Sequence, residues 1–261
     1  MGAVGREPGS PPLVIGHRGA AAEAPENTAA SFRRALSLGV DGLEMDVHLS
    51  RDGELVVIHD ERVDRTSDGQ GWVKDLTLAE LKRLDFGAWF GPQFRGERIL
   101  TLAEFLTLVQ EEASPAQRER FLINIELKSG PILYPGIEEK VIRAIYEFHI
   151  QDRVILSSFN HYSLQTVKKL APELPIGLLY MAGLVEPWHY ALRLQAQALH
   201  PLYYNIIPEL VAGAHAHGLK LHPFTVDDEP AMRLMVQLGV DGIITNRPAD
   251  LLRVLGRDSR G

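Results

Sequence analysis

The chain has 261 residues, 45% of them hydrophobic and 23% charged, with a formal net charge of −7 and no cysteine. This balance suits a folded protein with a sizeable core and excludes disordered and fibrous classes, disulfides, thiolate metal sites and any general electrostatic attraction to nucleic acid or an anionic membrane. The opening MGAVGREPGSPP lacks the apolar core of a secretory signal, and no later stretch approaches the ~18 apolar residues of a membrane span.

The reading is therefore a cytoplasmic protein with no stable membrane anchoring, whose residues 1–12 form a flexible arm. Beyond the arm, short apolar runs read as strands: Leu13–His17, Gly42–His48, Phe121–Lys128, Val154–Ser157, Ile176–Tyr180, Ala198–His200, Leu219–Phe224 and Gly242–Thr245. Between them helical periodicity falls on Ala29–Leu38, Leu102–Gln110, Ile137–Phe148, Ser163–Leu170, Pro208–His217 and Pro230–Leu238, with Pro248–Leu255 closing the chain. Strands alternating with helices imply parallel pairing through helical crossovers. Eight such strands predict one α/β catalytic domain over the whole chain, a (β/α)₈ barrel. The run Leu38-Gly39-Val40-Asp41-Gly42 returns as Leu238-Gly239-Val240-Asp241-Gly242. Each copy marks a helix stop and a turn into a strand.

Two stretches break the rhythm. Ser50-Arg51-Asp52-Gly53 sits between Glu44–Leu49 and Leu55–His59 and signals a hairpin. Residues 61–100 are glycine-rich yet carry Trp72, Phe86, Trp89, Phe90 and Phe94, too apolar for a free linker. We read them as an inserted subdomain between the second strand and the second helix. Its aromatics are expected to form its own small core, or else a lid.

Alternate side chains of a strand share a face, so Glu44 and Asp46 point one way while Leu43, Met45 and Val47 point the other. In the third strand Asn124, Glu126 and Lys128 share a face opposite Phe121, Ile123, Ile125 and Leu127. Polar groups thus gather at the strand C-termini, where barrels of this kind carry their chemistry, and His17 and Arg18 join them from the first strand. Three carboxylates within about 5 Å repel by roughly 3 kcal/mol per pair at an effective dielectric near 20, so they need protons or a divalent cation. All-oxygen ligation by Glu44, Asp46 and Glu126 favours Mg²⁺, Ca²⁺ or Mn²⁺. With Arg18 and Lys128 the site sums to about −1, and a divalent ion brings it to about +1, complementary to a singly charged phosphodiester. The hairpin folds His59 back beside the second strand, so two imidazoles flank the carboxylates. One can take a proton from an attacking hydroxyl while the other gives one to a leaving alkoxide. Arg18 and Lys128 would hold phosphate oxygens. His48, on the same face as Glu44, is expected at the rim. His200 and His222 read as structural or pocket-lining, Asn27-Thr28 as a helix cap, and Glu26 as a support to the site.

His17-Arg18-Gly19, Pro25-Glu26-Asn27-Thr28, Glu44-x-Asp46, His59-Asp60, Thr66–Leu84, Glu126-x-Lys128 and Ser157-Ser158-Phe159 together resemble the ordered motifs of the glycerophosphodiester phosphodiesterase family, over residues 13 to 250. The resemblance implies a barrel with an insertion after its second strand, one divalent metal on Glu44, Asp46 and Glu126, and acid–base roles for His17 and His59. It also implies phosphate contacts by Arg18 and Lys128, and hydrolysis of a small-molecule glycerophosphodiester to glycerol 3-phosphate and an alcohol. Where that family often carries Trp-Thr-Val-Asn, this chain reads Phe224-Thr225-Val226-Asp227. The departure touches the substrate pocket wall, assigned here to Phe224. A phospholipase C-like or sphingomyelinase-like reaction on a lipid, or an inactive binding protein on the same fold, are the rival readings. The sequence shows no exposed apolar wedge or basic surface run that would favour a lipid.

Overall fold

The computed structural model describes residues 10–114, 117 and 120–257. The arm read over residues 1–12 lies outside them except for Ser10, Pro11 and Pro12. In chain order the elements are β1 (Leu13–His17), α1 (Ala29–Leu38), β2 (Gly42–Leu49), β3 (Leu55–Val57), the short α2 (Leu78–Leu81), β4 (Leu100–Thr101), α3 (Leu102–Glu112) and β5 (Leu122–Leu127). There follow α4 (Ile137–Glu147), β6 (Val154–Ser158), α5 (His161–Leu170), β7 (Ile176–Tyr180), α6 (Pro187–Arg193), β8 (Ala198–Pro201), α7 (Pro208–Ala216), β9 (Lys220–Leu221), α8 (Glu229–Leu238), β10 (Gly242–Thr245) and α9 (Pro248–Val254).

The parallel strands run in the order β10-β1-β2-β5-β6-β7-β8-β9, the sequence of a (β/α)₈ barrel. Among the described residues no ladder joins the two ends of that order. Three backbone hydrogen bonds bridge them instead: Asp241 donates to Leu221 at 3.0 Å, Ile244 to Pro223 at 3.0 Å, and Val226 to Ile244 at 3.0 Å. The expected strand Leu219–Phe224 is accordingly reduced to its first half, because Pro223 cannot donate to a ladder. Helix α6 was not expected. Its seven residues, PWHYALR, are too few for a clear period, and the signal available was Pro187 at its first turn.

Strand alternation sorts the core into two layers. Leu43, Met45, Val47, Ile123, Ile125 and Leu127 turn outward and are buried under the helices, with Phe32 of α1 packed edge-on against Phe105 of α3 at 4.6 Å. Ile15, Leu122, Ile155, Ala198 and Ile244 turn inward and fill the barrel floor. The repeated pentapeptide has a matching structure at both places. Gly39 and Gly239 cap α1 and α8 with φ of 80°, and the Asp41 and Asp241 carboxylates accept the N–H of Val14 (2.8 Å) and Leu221 (3.0 Å) in the neighbouring strand.

Strands β3 and β4 form an antiparallel ribbon off β2, with Val47 opposite Val57 and Val56 opposite Thr101. The insertion packs on this ribbon through its own cluster of Val56, Ile58, Val63, Val73, Leu81, Phe86 and Ile99. Its core is therefore mostly aliphatic, contrary to the expectation from its aromatics. Trp72 and Trp89 are exposed, and Trp89, Phe90 and Phe94 meet edge-on in sequence at 5.6 and 5.4 Å.

Candidate active site

Register assembles the polar cluster. Parallel pairing sets His17 beside Glu44, Glu44 beside Asn124, and Asp46 beside Glu126, so inward-facing side chains of three adjacent strands meet at their C-terminal ends. Ligand oxygens of Glu44, Asp46 and Glu126 all lie within 4.8 Å of one another, and all three residues are buried. Glu44 Oε1 and Asp46 Oδ1 have no hydrogen-bond partner. Buried carboxylate oxygens without donors cost several kcal/mol unless something positive meets them. The donor set is all oxygen, so the group suits a hard divalent cation.

The cations around it are already engaged. Arg18 Nε lies 3.4 Å from Asp46 Oδ2, and Lys128 Nζ lies 2.8 Å from Glu126 Oε1 and 3.5 Å from Asp46 Oδ1. Burial opposes ionisation of Asp46, but Lys128 and Arg18 outweigh it and hold its carboxyl well below the usual range. Glu44 goes the other way, pushed up by burial and by the negative charges of Asp46 and Glu126. Lys128 is held charged because Asp46 and Glu126 outweigh its own burial. Arg18 adopts a left-handed backbone with φ of 53°, which costs of order 1 kcal/mol for a residue other than glycine and lets its N–H reach both the Glu44 carbonyl (3.0 Å) and Oε2 (3.1 Å).

His17 is positioned through its Nδ1, 2.7 Å from Asn246 Oδ1. Asn246 Nδ2 donates to Asp227 Oδ2 at 2.6 Å, which fixes the amide with its oxygen toward the imidazole. His17 Nδ1 therefore carries the proton, and Nε2, 3.8 Å from Glu44 Oε2, presents a lone pair to the site. Burial, then the charge of Arg18, lower the His17 pKa to about 4. His59 donates from Nδ1 to Asp60 Oδ1 at 2.7 Å, leaving Nε2 for another partner. Its backbone carbonyl is pinned by His48 Nε2 at 3.0 Å. His48 is not at the rim as expected: it is fully buried, and Tyr134 Oη holds its other nitrogen at 2.9 Å.

Arg65, which the sequence reading passed over, joins the two sides of the site. It donates two hydrogen bonds to Glu26, both at 2.8 Å, and two to Asp60, at 2.7 and 2.9 Å. Glu26 also accepts from Arg18 Nη1 at 2.8 Å. One guanidinium thus ties the carboxylate behind His59 to the carboxylate behind Arg18. Hydrogen bonds from His59 and then Arg65 hold Asp60 well below the usual carboxylate range. Thr28 caps α1 as read, but Asn27 instead donates to Asp46 Oδ2 at 2.9 Å.

Phe224 lines the same small cavity as His17, Glu44, Asn124, Glu126 and Ser157, and packs edge-on against Phe159 at 5.7 Å. His200, which lines the same cavity, and His222 are buried side by side, ring centroids 5.1 Å apart, without hydrogen-bond partners. Burial keeps both imidazoles neutral, His222 with a pKa lowered to about 4. Room for His200 comes from Gly177, where a Cβ would stand 2.5 Å from His200 Nε2.

The family model described as the glycerophosphoryl diester phosphodiesterase family matches residues 17–250. The chain belongs to this family. The candidate site just described, from His17 at its start to Asn246 near its end, falls inside that match. A relative named glycerophosphodiester phosphodiesterase, from Caldanaerobacter subterraneus subsp. tengcongensis, is 58% identical over 243 residues, covering 93% of this chain and 97% of the relative. Among solved structures, a phosphodiesterase from Oleispira antarctica in complex with the product sn-glycerol-3-phosphate aligns with a TM-score of 0.82 and 32% identity, over 94% of this chain and 97% of its own. A glycerophosphodiester phosphodiesterase from Agrobacterium tumefaciens aligns with a TM-score of 0.78 and 29% identity, over 92% and 98%. Among the described residues no helix is long and apolar enough to cross a membrane.

Proposed function

We propose that this chain hydrolyses glycerophosphodiesters to glycerol 3-phosphate and a free alcohol. The observation that carries the reading is the pair of oriented histidines, His17 and His59, around one buried Glu44–Asp46–Glu126 group. Glu44, Asp46 and Glu126 would hold a divalent cation, Mg²⁺, Ca²⁺ or Mn²⁺, which when bound neutralises the carboxylates and makes the site attractive to an anionic diester. Arg18 and Lys128 then complement the non-bridging phosphate oxygens, the first with a planar fork and the second as a point charge.

The hydrogen bonds to the imidazoles divide the proton work. His17 Nε2, bearing the lone pair, takes the proton of the glycerol 2-hydroxyl as that oxygen bonds to phosphorus. The phosphorus–oxygen bond to the alcohol breaks, and His59, entering the step with a proton on Nε2 as well as on Nδ1, gives the departing oxygen the Nε2 proton. Water then opens the cyclic phosphate with the two roles reversed. A hydroxyl tethered next to phosphorus carries the proximity advantage of an intramolecular reaction.

The test is hydrolysis of glycerophosphocholine with product identification. Choline and glycerol 3-phosphate are expected, with the 2-deoxy analogue turning over at least about 100-fold more slowly at saturation. Phosphocholine plus glycerol would establish a phospholipase C-like cleavage instead. Equal kcat for the two substrates would favour direct attack by water.

A further inference from the structure

The mouth of the barrel has two unlike halves. Loops at residues 128–136, 159–160, 181–186 and 202–207, following β5, β6, β7 and β8, contain only two charged residues, Lys128 at the carboxylate site and Glu186. They expose large apolar side chains: Leu133, Phe159, Met181, Val185, Tyr204 and Ile207 are each at least 47% exposed. Among the described residues, the connections at the opposite end of the barrel expose none. Solvated apolar groups clustered on one face of a protein mark a surface that meets an apolar partner.

The strip is continuous with the reacting centre. Phe159 packs on Phe224, which lines the cavity beside His17, Glu44 and Glu126. The Tyr203 N–H bonds the Phe224 carbonyl at 2.9 Å, and Asn205 Nδ2 bonds the Met181 carbonyl at 2.8 Å, so the loops after β7, β8 and β9 are tied edge to edge. An occupant lying on the strip can therefore be covalently part of the molecule whose phosphate sits at the carboxylates. A membrane surface is disfavoured, because an anionic lipid face recruits basic side chains and the one Lys or Arg of these loops, Lys128, is engaged by Glu126 and Asp46.

We propose that this half of the mouth is a subsite for a hydrocarbon chain of the substrate, so that the enzyme prefers amphiphilic glycerophosphodiesters bearing one acyl or alkyl chain over fully water-soluble ones. The inference rests on the phosphodiesterase reading above. Hydrolysis is the same reaction: the phosphorus–oxygen bond to the alcohol breaks, water supplies the new oxygen and proton, and the chain stays on whichever product carried it.

The experiment compares kcat/KM for glycerophosphocholine with that for hexanoyl, octanoyl and decanoyl lysophosphatidylcholine, each below its micellar concentration. A second series places the chain on the other side of phosphorus, as glycerophospho-hexanol, -octanol and -decanol. In one of the two series kcat/KM is expected to rise by about fourfold per methylene that becomes buried. Val185→Ser combined with Ile207→Ser should flatten that rise, read as the ratio of long-chain to glycerophosphocholine kcat/KM, which is insensitive to a general loss of folded enzyme. Both series flat while glycerophosphocholine is hydrolysed would overturn the subsite and leave the phosphodiesterase reading standing. No turnover of any diester, glycerophosphocholine included, would overturn that reading itself. Sedimentation supplies the remaining check: a wild-type dimer that Val185→Ser with Ile207→Ser dissociates would show that a second copy covers the strip, and the subsite would be withdrawn.

Discussion

The half of the barrel mouth built on β1, β2 and the hairpin is dense in charge, five of the seven residues from His59 to Arg65 being Asp, Glu or Arg, whereas the four loops after β5 to β8 carry only Lys128 and Glu186. In the first half nearly every polar side chain is held by another: Asp60 by Arg65, Arg65 by Glu26, Glu26 by Arg18, Arg18 by Asp46. In the second, large side chains project into solvent with few polar ties. A charged network in a low-dielectric setting is stiff and intolerant of a missing member, which suits groups that must be aligned with a reacting phosphate. An apolar strip is tolerant, and suits discrimination among substrates that share one reacting centre. On the function and subsite proposed above, the contrast assigns rate and preference to opposite sides of one opening.

The sharpest way to break this division is to remove one imidazole. His17→Ala and His59→Ala are each expected to lower kcat by about 10²–10⁴, the range for loss of a general acid or base, on soluble and amphiphilic diesters alike. Steady-state kinetics on both substrate types check it, and a loss confined to one type would show that the histidine serves preference instead. A smaller effect is expected at Arg65, which touches no reacting atom. Arg65→Ala should reduce kcat by about 10- to 100-fold by letting His59 and Arg18 drift apart. Guanidinium ion should restore part of the rate, while Arg65→Lys should not rescue it, because an ammonium cannot span two carboxylates bidentately. Full activity in Arg65→Lys would mean that charge alone is needed there.

The smallest effect concerns stability and not rate. The His222 pKa is lowered to about 4 by burial, below its ordinary value of 6.5. The unfolded chain binds a proton that the folded chain refuses, so stability is fully present above about pH 6.5 and declines as pH falls toward 4. Each such histidine contributes a slope of about 1.4 kcal/mol per pH unit within that window. Urea unfolding of His222→Gln at pH 6 and pH 5 should show a slope shallower by about that amount, and an unchanged slope would mean that His222 is not held neutral.

How much of this was readable from sequence follows from the range of each interaction. Strand ends were clear because polar residues interrupt apolar strands at alternate positions, so Glu44, Asp46 and Glu126 identified themselves by parity alone. The partner of His17 and the tie behind His59 were not. Asn246 meets His17 across 229 residues and Arg65 meets Glu26 across 39, and neither contact leaves a local pattern. His48 shares parity with Glu44 and Asp46, which suggested a rim position. The ribbon folding back over it, with Tyr134 on its far side, is what buries it. The apolar strip escaped for a related reason. No single loop is an apolar run of note, and only the barrel order β5-β6-β7-β8 brings the four together.

The most direct test of the central claim, that the Glu44–Asp46–Glu126 side of the mouth performs the chemistry on a divalent ion, is the turnover of glycerophosphocholine by protein stripped of metal and then titrated with Mg²⁺, Ca²⁺ or Mn²⁺, with bound metal measured in parallel. The account expects no turnover in the stripped protein, recovery saturating at one ion per chain, and weakened binding together with lost rate in Glu126→Gln. Undiminished turnover with no bound metal, or wild-type metal affinity in Glu44→Gln, Asp46→Gln and Glu126→Gln alike, would contradict it.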